Sequence, residues 1–218
     1  MAEARVEREF EVRRHSERGS YDRSVIEAIL DEAMFCTVAF VDTGQPVAIP
    51  TIHARDGDRI LIHGSVGSRM MRTLASGAPC CVSATLLDGL VLARSAFNHS
   101  MNYRSVVLFG SATIVDDDTK EEALRQFTEK LIPGRWSAAR PPSPKELRTT
   151  MVVAIPIESA SAKVRSGPPE DEPEDMELEI WAGVIPYLVS PGPAVPAPEM
   201  PPGTPFPDHL SQRFPSPA

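Results

Sequence analysis

The chain has no apolar run approaching the ~20 residues that cross a bilayer, so no membrane-spanning helix is expected. Positive charge is also in short supply. Lys and Arg number 22 against 30 Asp and Glu, a formal net charge of -8. Nucleic acids are gripped through basic surfaces, which argues against a nucleic-acid partner. Cysteine is scarce: Cys36, Cys80 and Cys81 are an odd set without metal-type spacing, so no disulfide framework is implied. Cys36 and Cys80 lie in apolar stretches and read as small buried hydrophobes, whereas a reactive thiol needs a positive, accessible setting. The segment Met1-Ala2-Glu3-Ala4-Arg5 lacks the apolar core of a secretory signal, and a cytoplasmic location is expected. The motifs of self-contained catalysis are missing too. There is no Gly-x-Ser-x-Gly elbow and no His-Glu-x-x-His. An enzyme of this sequence would draw its chemistry from a bound cofactor.

What is present is enough for one domain with appendages: 218 residues, 42% of them hydrophobic. Residues 1–19 are a charged arm. A helix opens at Ser20-Tyr21-Asp22, with Asp22 as N-cap and Val25, Ile26, Ile29, Leu30 and Ala33 at helical spacing. A meander follows: strand 35–41, a turn at Asp42-Thr43-Gly44-Gln45, strand 46–53, a turn at Asp56-Gly57, strand 59–63. A short helix fits 68–75. Strand 80–86 leads to an expected turn at Asp88-Gly89 and a strand 90–94, then a long strand 104–115. Ala123, Leu124, Phe127 and Leu131 mark a second amphipathic helix. Ser143-Pro144-Lys145-Glu146 carries the signature of a capped helix start, and 151–157 is a last core strand. Residues 20–158 therefore form a mainly β (α+β) antiparallel barrel with a few peripheral helices. Residues 159–218 are acidic and then proline-rich, an extension that wraps on the barrel or on a neighbour. Its apolar island, Ile180 to Pro186, is expected to dock.

Two segments concentrate polar chemistry. Gly64-Ser65-Val66-Gly67-Ser68-Arg69 joins a strand to a helix; such turns let backbone N–H groups and an arginine meet a phosphate. The same pattern also fits a plain turn with solvated arginines. Ser95 to Gly110 gathers His99, Asn102, Tyr103, Arg104 and Ser105 at the head of an apolar strand. His53 and His63 end neighbouring strands, where they fit a cofactor lining or satisfied structural histidines. No Cys, Asp or Glu with ligand spacing joins them, and no metal is assigned. His99 fits either a ligand contact or a loop brace.

Four of these elements, in order, resemble the FMN-binding split-barrel superfamily of pyridoxamine 5'-phosphate oxidase-like flavoproteins, in its nitroimidazole-resistance-related branch. They are the strand Pro46 to His53, the run Ile62-His63-Gly64, the Ser68-Arg69 helix start, and Asn102-Tyr103-Arg104-Ser105-Val106-Val107 leading to Gly110. The resemblance covers residues 20–158 and, more loosely, the Trp181 segment. It implies a split barrel that dimerises around FMN (FAD is the alternative) and acts on a small-molecule substrate. Ala48, Ile49, Pro50, Thr51, Ile52 and His53 would line the flavin. His63 and Gly64 would flank it, and Ser68, Arg69 and the adjoining Met70 would meet the phosphate. Ser105, beside Tyr103 and Arg104 and near His99, would come from the other subunit, with Trp181 near the ring. Met70 stands where the oxidases carry lysine, and their basic C-terminal substrate segment is not recognisable. The resemblance thus implies an FMN-dependent oxidoreductase passing hydride or electrons from a reduced nicotinamide or similar donor to a small organic acceptor, rather than a true pyridoxamine phosphate oxidase. A non-catalytic flavin-binding protein and a haem-binding split barrel are the alternatives.

Overall fold

The computed structural model describes residues 11–217. Ten strands build one antiparallel sheet: β1 (Gly19–Ser20), β2 (Phe35–Asp42), β3 (Gln45–Asp56), β4 (Arg59–Ser65), β5 (Pro79–Leu92), β6 (Ser100–Ser111), β7 (Thr113–Ile114), β8 (Thr150–Pro156), β9 (Ser159–Arg165) and β10 (Gly183–Pro186). Their order is β1-β9-β6-β5-β2-β3-β4-β8-β7, with β10 on the free edge of β5. The sheet curls without closing, so the expected mainly β split barrel is what forms. Among the described residues six α-helices decorate it: α1 (Arg23–Glu32), α2 (Arg69–Ala75), α3 (Lys120–Leu131), α4 (Arg135–Ala138), α5 (Pro144–Thr149) and α6 (Asp208–Ser211). Among the described residues no helix is long and apolar enough to cross a membrane.

Local chemistry sets most boundaries. The Asp22 carboxylate accepts the Ser24 N–H and starts α1, as N-caps do. Ser143 and Glu146 form a reciprocal capping box on α5. Thr43 and Gly44 both have positive φ, 48° and 79°, in the two-residue turn between β2 and β3, the twist that joins right-handed strands without splaying them.

The interior is filled by one face of α1 (Ile26, Ile29, Leu30) and the inward positions of the strands, among them Val38, Ile60, Ile62, Val82, Leu108 and Ile155. A smaller cluster lies between α3 and the β3–β4–β8 end of the sheet, joining Phe127 and Ala123 to Ala54, Leu61, Val152 and Ala154. Cys36 and Cys80 are buried as expected. Burial pushes their thiols up to about 12 and about 11, which makes them poor nucleophiles at neutral pH.

Two expectations change. The Asp88-Gly89 dipeptide does not turn the chain. β5 runs through it as one strand, with a register shift against β6 between Leu87 and Gly89. The long-range ladder overrides the local turn preference. The barrel also outlasts residue 158, because β9 pairs with β6 from Tyr103↔Arg165 to Phe109↔Ser159. The apolar island of the extension does dock, as β10, in register Gly183↔Leu92 to Pro186↔Gly89.

Gly89 is glycine because β10 comes so close. A Cβ there would stand 2.7 Å from the Ile185 carbonyl oxygen and 3.1 Å from Pro186 Cα. Gly89→Val is therefore expected to eject β10 while β5 and β6 stay paired. Protease cleavage within residues 180–190 should appear at low enzyme concentrations that leave the wild type intact. A wild-type digestion pattern would refute the close-approach account.

Candidate functional site

Paired residues of antiparallel strands share a face, so the ladder defines what each side of the sheet presents. Ala48, Pro50 and Ile52 of β3 lie opposite Ala39, Thr37 and Phe35 of β2. Ala39 and Thr37 continue to Cys81 and Ser83 of β5, and these to Phe109 and Val107 of β6. Thr85↔Ser105 and Leu87↔Tyr103 extend the same surface. Apart from Tyr103 this outer face is apolar or small, and Phe35 and Ile52 are 59% and 38% exposed. A cavity of about 390 Å³ lies on it, lined by Ala39, Val41, Pro46, Ala48, Cys81 and Phe109 among others.

The cationic end of the face is made by the β4–α2 turn. Three backbone N–H groups there are already bonded: Val66 to Thr149 O, Ser68 to Ser65 O, and Gly67 to Ser65 Oγ. Ser68 occupies the N-cap position, yet its hydroxyl makes no capping bond. Arg69 is more than half exposed and stands 3.6 Å from the Asp42 carboxylate. That is an ion pair without a hydrogen bond, which leaves the guanidinium donors free. Met70 points the other way and is 5% exposed in the core. Gly64 has a packing cause, since a Cβ there would stand 2.8 Å from Met71 Cγ.

His63 sits where the open face meets α3. Its neighbour on β3, one step along from the His53↔Ile62 pair, is Ile52. The imidazole meets Phe127 edge-on, ring centres 4.4 Å apart. Its Nδ1 is buried without a hydrogen-bond partner, and burial depresses its basicity.

A profile of the pyridoxamine 5'-phosphate oxidase family matches residues 22–164. The chain belongs to that family. Among solved structures, the FAD and haem binding protein from Mycobacterium smegmatis is 41% identical, the match covering 90% of this chain and 97% of that one with a TM-score of 0.87. The flavocytochrome Anf3 from Azotobacter vinelandii is 40% identical over 94% of this chain and 95% of its own, TM-score 0.88. A putative 5-nitroimidazole antibiotic resistance protein from Bacteroides thetaiotaomicron shares the fold at 22% identity, covering 67% and 86%, TM-score 0.57. A search of the curated proteins found no match.

In this member of the pyridoxamine 5'-phosphate oxidase family, the residues expected at the site divide. Ala48, Pro50, Ile52, His63, Ser68, Arg69, Tyr103 and Ser105 reach the outer face or its rim. Ile49, Thr51 and His53 alternate inward with the strand. His53 is wholly buried, and the expectation that its ring lines the flavin is corrected. Its Nε2 lies 2.8 Å from the Leu30 carbonyl at the end of α1. Lys130 Nζ stands within 3.1 Å of Leu30 O, Ala33 O, His53 O and His53 Nε2. Three ammonium hydrogens serve the three carbonyls, so the Nε2–H tautomer, donating to Leu30 O, satisfies every donor of the cluster. Together they cap the C-terminus of α1, whose carbonyls would otherwise lack partners.

Arg104 is corrected as well. Its guanidinium binds Asp88 and Glu32 in paired fashion and clamps α1 to the β5 bulge, so it is not free for a cofactor. His99 braces its loop, its Nδ1 accepting the Ala93 N–H at 3.0 Å. Trp181 lies beside β10, at the far end of β5 from Arg69. Sequence reasoning missed Asp42 beside Arg69, Lys130 beside His53 and Phe127 beside His63. Each partnership is long-range in sequence. Among the described residues no three His, Cys, Asp or Glu side chains group as a metal site.

Burial, reinforced by the Lys130 charge, pushes His53 down to about 4 from an ordinary 6.5, and burial lowers Lys130 to about 8. Between pH 6.5 and 4 the unfolded chain then binds more protons at His53 than the folded one, so stability falls as pH drops through that window. The wild type is expected to lose on the order of 2 kcal/mol more than His53→Gln between pH 7 and 4.5. Urea midpoints at the two pH values measure this, and parallel losses in both proteins would refute the assignment.

Proposed function

We propose that the chain is a flavin-dependent oxidoreductase, working as a homodimer with the flavin ring between two outer sheet faces. One observation carries the reading. A guanidinium ion-paired to Asp42 but making no hydrogen bond, Arg69, and a hydroxyl that makes no capping bond, Ser68, stand at one end of an apolar face that ends at a buried, unpartnered His63 nitrogen. Phosphate, flat ring and hydrogen-bonding rim are the three demands a flavin makes, and the residues fit them. The Mycobacterium smegmatis relative, 41% identical, is described as an FAD and haem binding protein, which favours FAD over FMN.

Each side chain has a definite task. Arg69 and Ser68 bind a phosphate by charge-assisted hydrogen bonds. Pro50, Ile52 and Ala48 exclude water from one side of the ring and fix its plane. His63 offers one polar contact at the rim, with Phe127 holding its imidazole in place. Ser105 and Ile52 of one chain are three strand spacings apart, about 14 Å. A two-fold axis set midway between them would lay the partner subunit's Ser105 over Ile52, the arrangement the proposed dimer requires. When bound, the flavin supplies hydride and electron transfer to a small acceptor.

A second reading adds haem, because two close structural relatives are named for it. At this face the imidazole of His63, whose Nδ1 has no hydrogen-bond partner, would be the candidate to hold such iron.

The visible spectrum of the purified protein tests both readings. Flavin bands with FAD released on denaturation are expected, and a Soret band adds the haem. A colourless protein that takes up neither would end the proposal. Arg69→Ala is expected to weaken flavin binding by about 1.5–3 kcal/mol, the scale of a lost hydrogen bond to a charged group. Undiminished flavin content through gel filtration would contradict that assignment. Reduction of the bound flavin by NADH or NADPH, followed by reoxidation with a quinone, separates an oxidoreductase from a storage protein.

A further inference from the structure

We propose that Arg165, braced by Asn102, forms a buried anion site that takes the carboxylate of a small organic acid.

Arg165 closes β9, opposite Tyr103 of β6, and is 6% exposed. A guanidinium is a planar fork of N–H donors that keeps its charge throughout the working pH range. Taking it out of water is costly unless an acceptor of opposite charge meets it. Here the acceptor is neutral: Nη1 donates to Asn102 Oδ1 at 2.5 Å. Asn102 is itself buried, and its Nδ2 donates to the Gly167 carbonyl at 3.1 Å. Among the described residues no carboxylate pairs with Arg165, and its buried Nε has no hydrogen-bond partner. Nη2, on the same edge as Nε, donates to none of them either.

The edge left over is the one that takes a carboxylate side-on. Arg55 gives Nε and Nη2 to the two oxygens of Asp31 at 2.8 and 2.6 Å. Arg104 gives the same pair of nitrogens to Asp88, and Arg125 gives them to Glu122. Each of these arginines is more exposed than Arg165 and so needs a partner less, yet each has one. The carboxylate that follows Arg165 along the chain, Asp171, is already taken by the Arg94 amide and Nη1, at 2.7 and 2.8 Å. The fork selects a planar two-oxygen group with one negative charge. Its occupant is a free organic acid, and the small part of Arg165 that stays exposed is the way in. Because Asn102 also holds Gly167, the ligand bears on the start of the C-terminal extension.

Arginine Nε–H groups give separate signals in a proton–nitrogen-15 spectrum, and Arg165→Lys identifies the Arg165 signal by its loss. The full-length purified protein is titrated with sodium acetate in exchange for sodium chloride, at constant ionic strength and neutral pH. The Arg165 signal is expected to move with half-saturation at about 1 mM acetate, the affinity of two hydrogen bonds to a charged group. A starting solution of chloride alone, varied in concentration, should leave the signal in place, since a sphere cannot span both nitrogens. Asn102→Asp sets a carboxylate against the guanidinium and is expected to weaken acetate binding at least about ten-fold. It also moves the Arg165 signal, which identifies that signal should Arg165→Lys fail to fold. No movement in about 0.1 M acetate, a hundred-fold excess over the expected midpoint, overturns the proposal. So does an equal movement with chloride, or an acetate midpoint unchanged in Asn102→Asp.

Discussion

The seam between β2 and β5 is the contact on which the rest of the molecule depends. Only four residue pairs make it, Thr37↔Ser83 to Phe40↔Cys80, yet it joins the β1-β9-β6-β5 half of the sheet to the β2-β3-β4-β8-β7 half. Val38 and Val82 face each other across it with almost no exposure. They are locked from inside by the same cluster that holds Leu108 and Ile155. Because side chains alternate along each strand, this buried seam also fixes what the opposite side shows. Thr37, Ala39, Cys81 and Ser83 are small, and the outer face stays shallow where a planar ring or a second sheet can approach.

Much of this was legible in the sequence where local chemistry decides. The caps at Asp22 and Ser143, the glycine turns at positions 44 and 57, and the apolar stripe of α1 are short-range devices with residue preferences of their own. The Asp-Gly at 88–89 shows the limit. The dipeptide allows a turn but does not compel one, and twelve residue pairs with β6 hold β5 straight through it. β9 was hidden for another reason: Ser159-Ala160-Ser161-Ala162 are small, weakly patterned residues, and their strand character comes from the neighbours they meet.

Within the site, the alternation of β3 was readable, but the fate of its polar members was not. His53 and Arg104 look like ligand contacts in the sequence. Each is instead engaged by a partner more than seventy positions away, Lys130 and Glu32 respectively. Both engagements converge on the last turn of α1. A lysine–histidine cap closes its carbonyls while the Arg104 clamp ties its Glu32 to the bulge of β5. The corner where α1 passes into β2 is thus held from two sides, immediately before the exposed Phe35.

The docking of β10 has a consequence for solubility. An unpaired sheet edge is a template on which strands of other molecules can add. Beyond its pairing with β2, β5 would present such an edge at Gly89 to Leu92. β10 occupies it with four residues and ends at Pro186, which has no amide hydrogen to offer. The proline-crowded chain beyond continues that refusal, so the ladder stops growing where an intruding strand would otherwise begin.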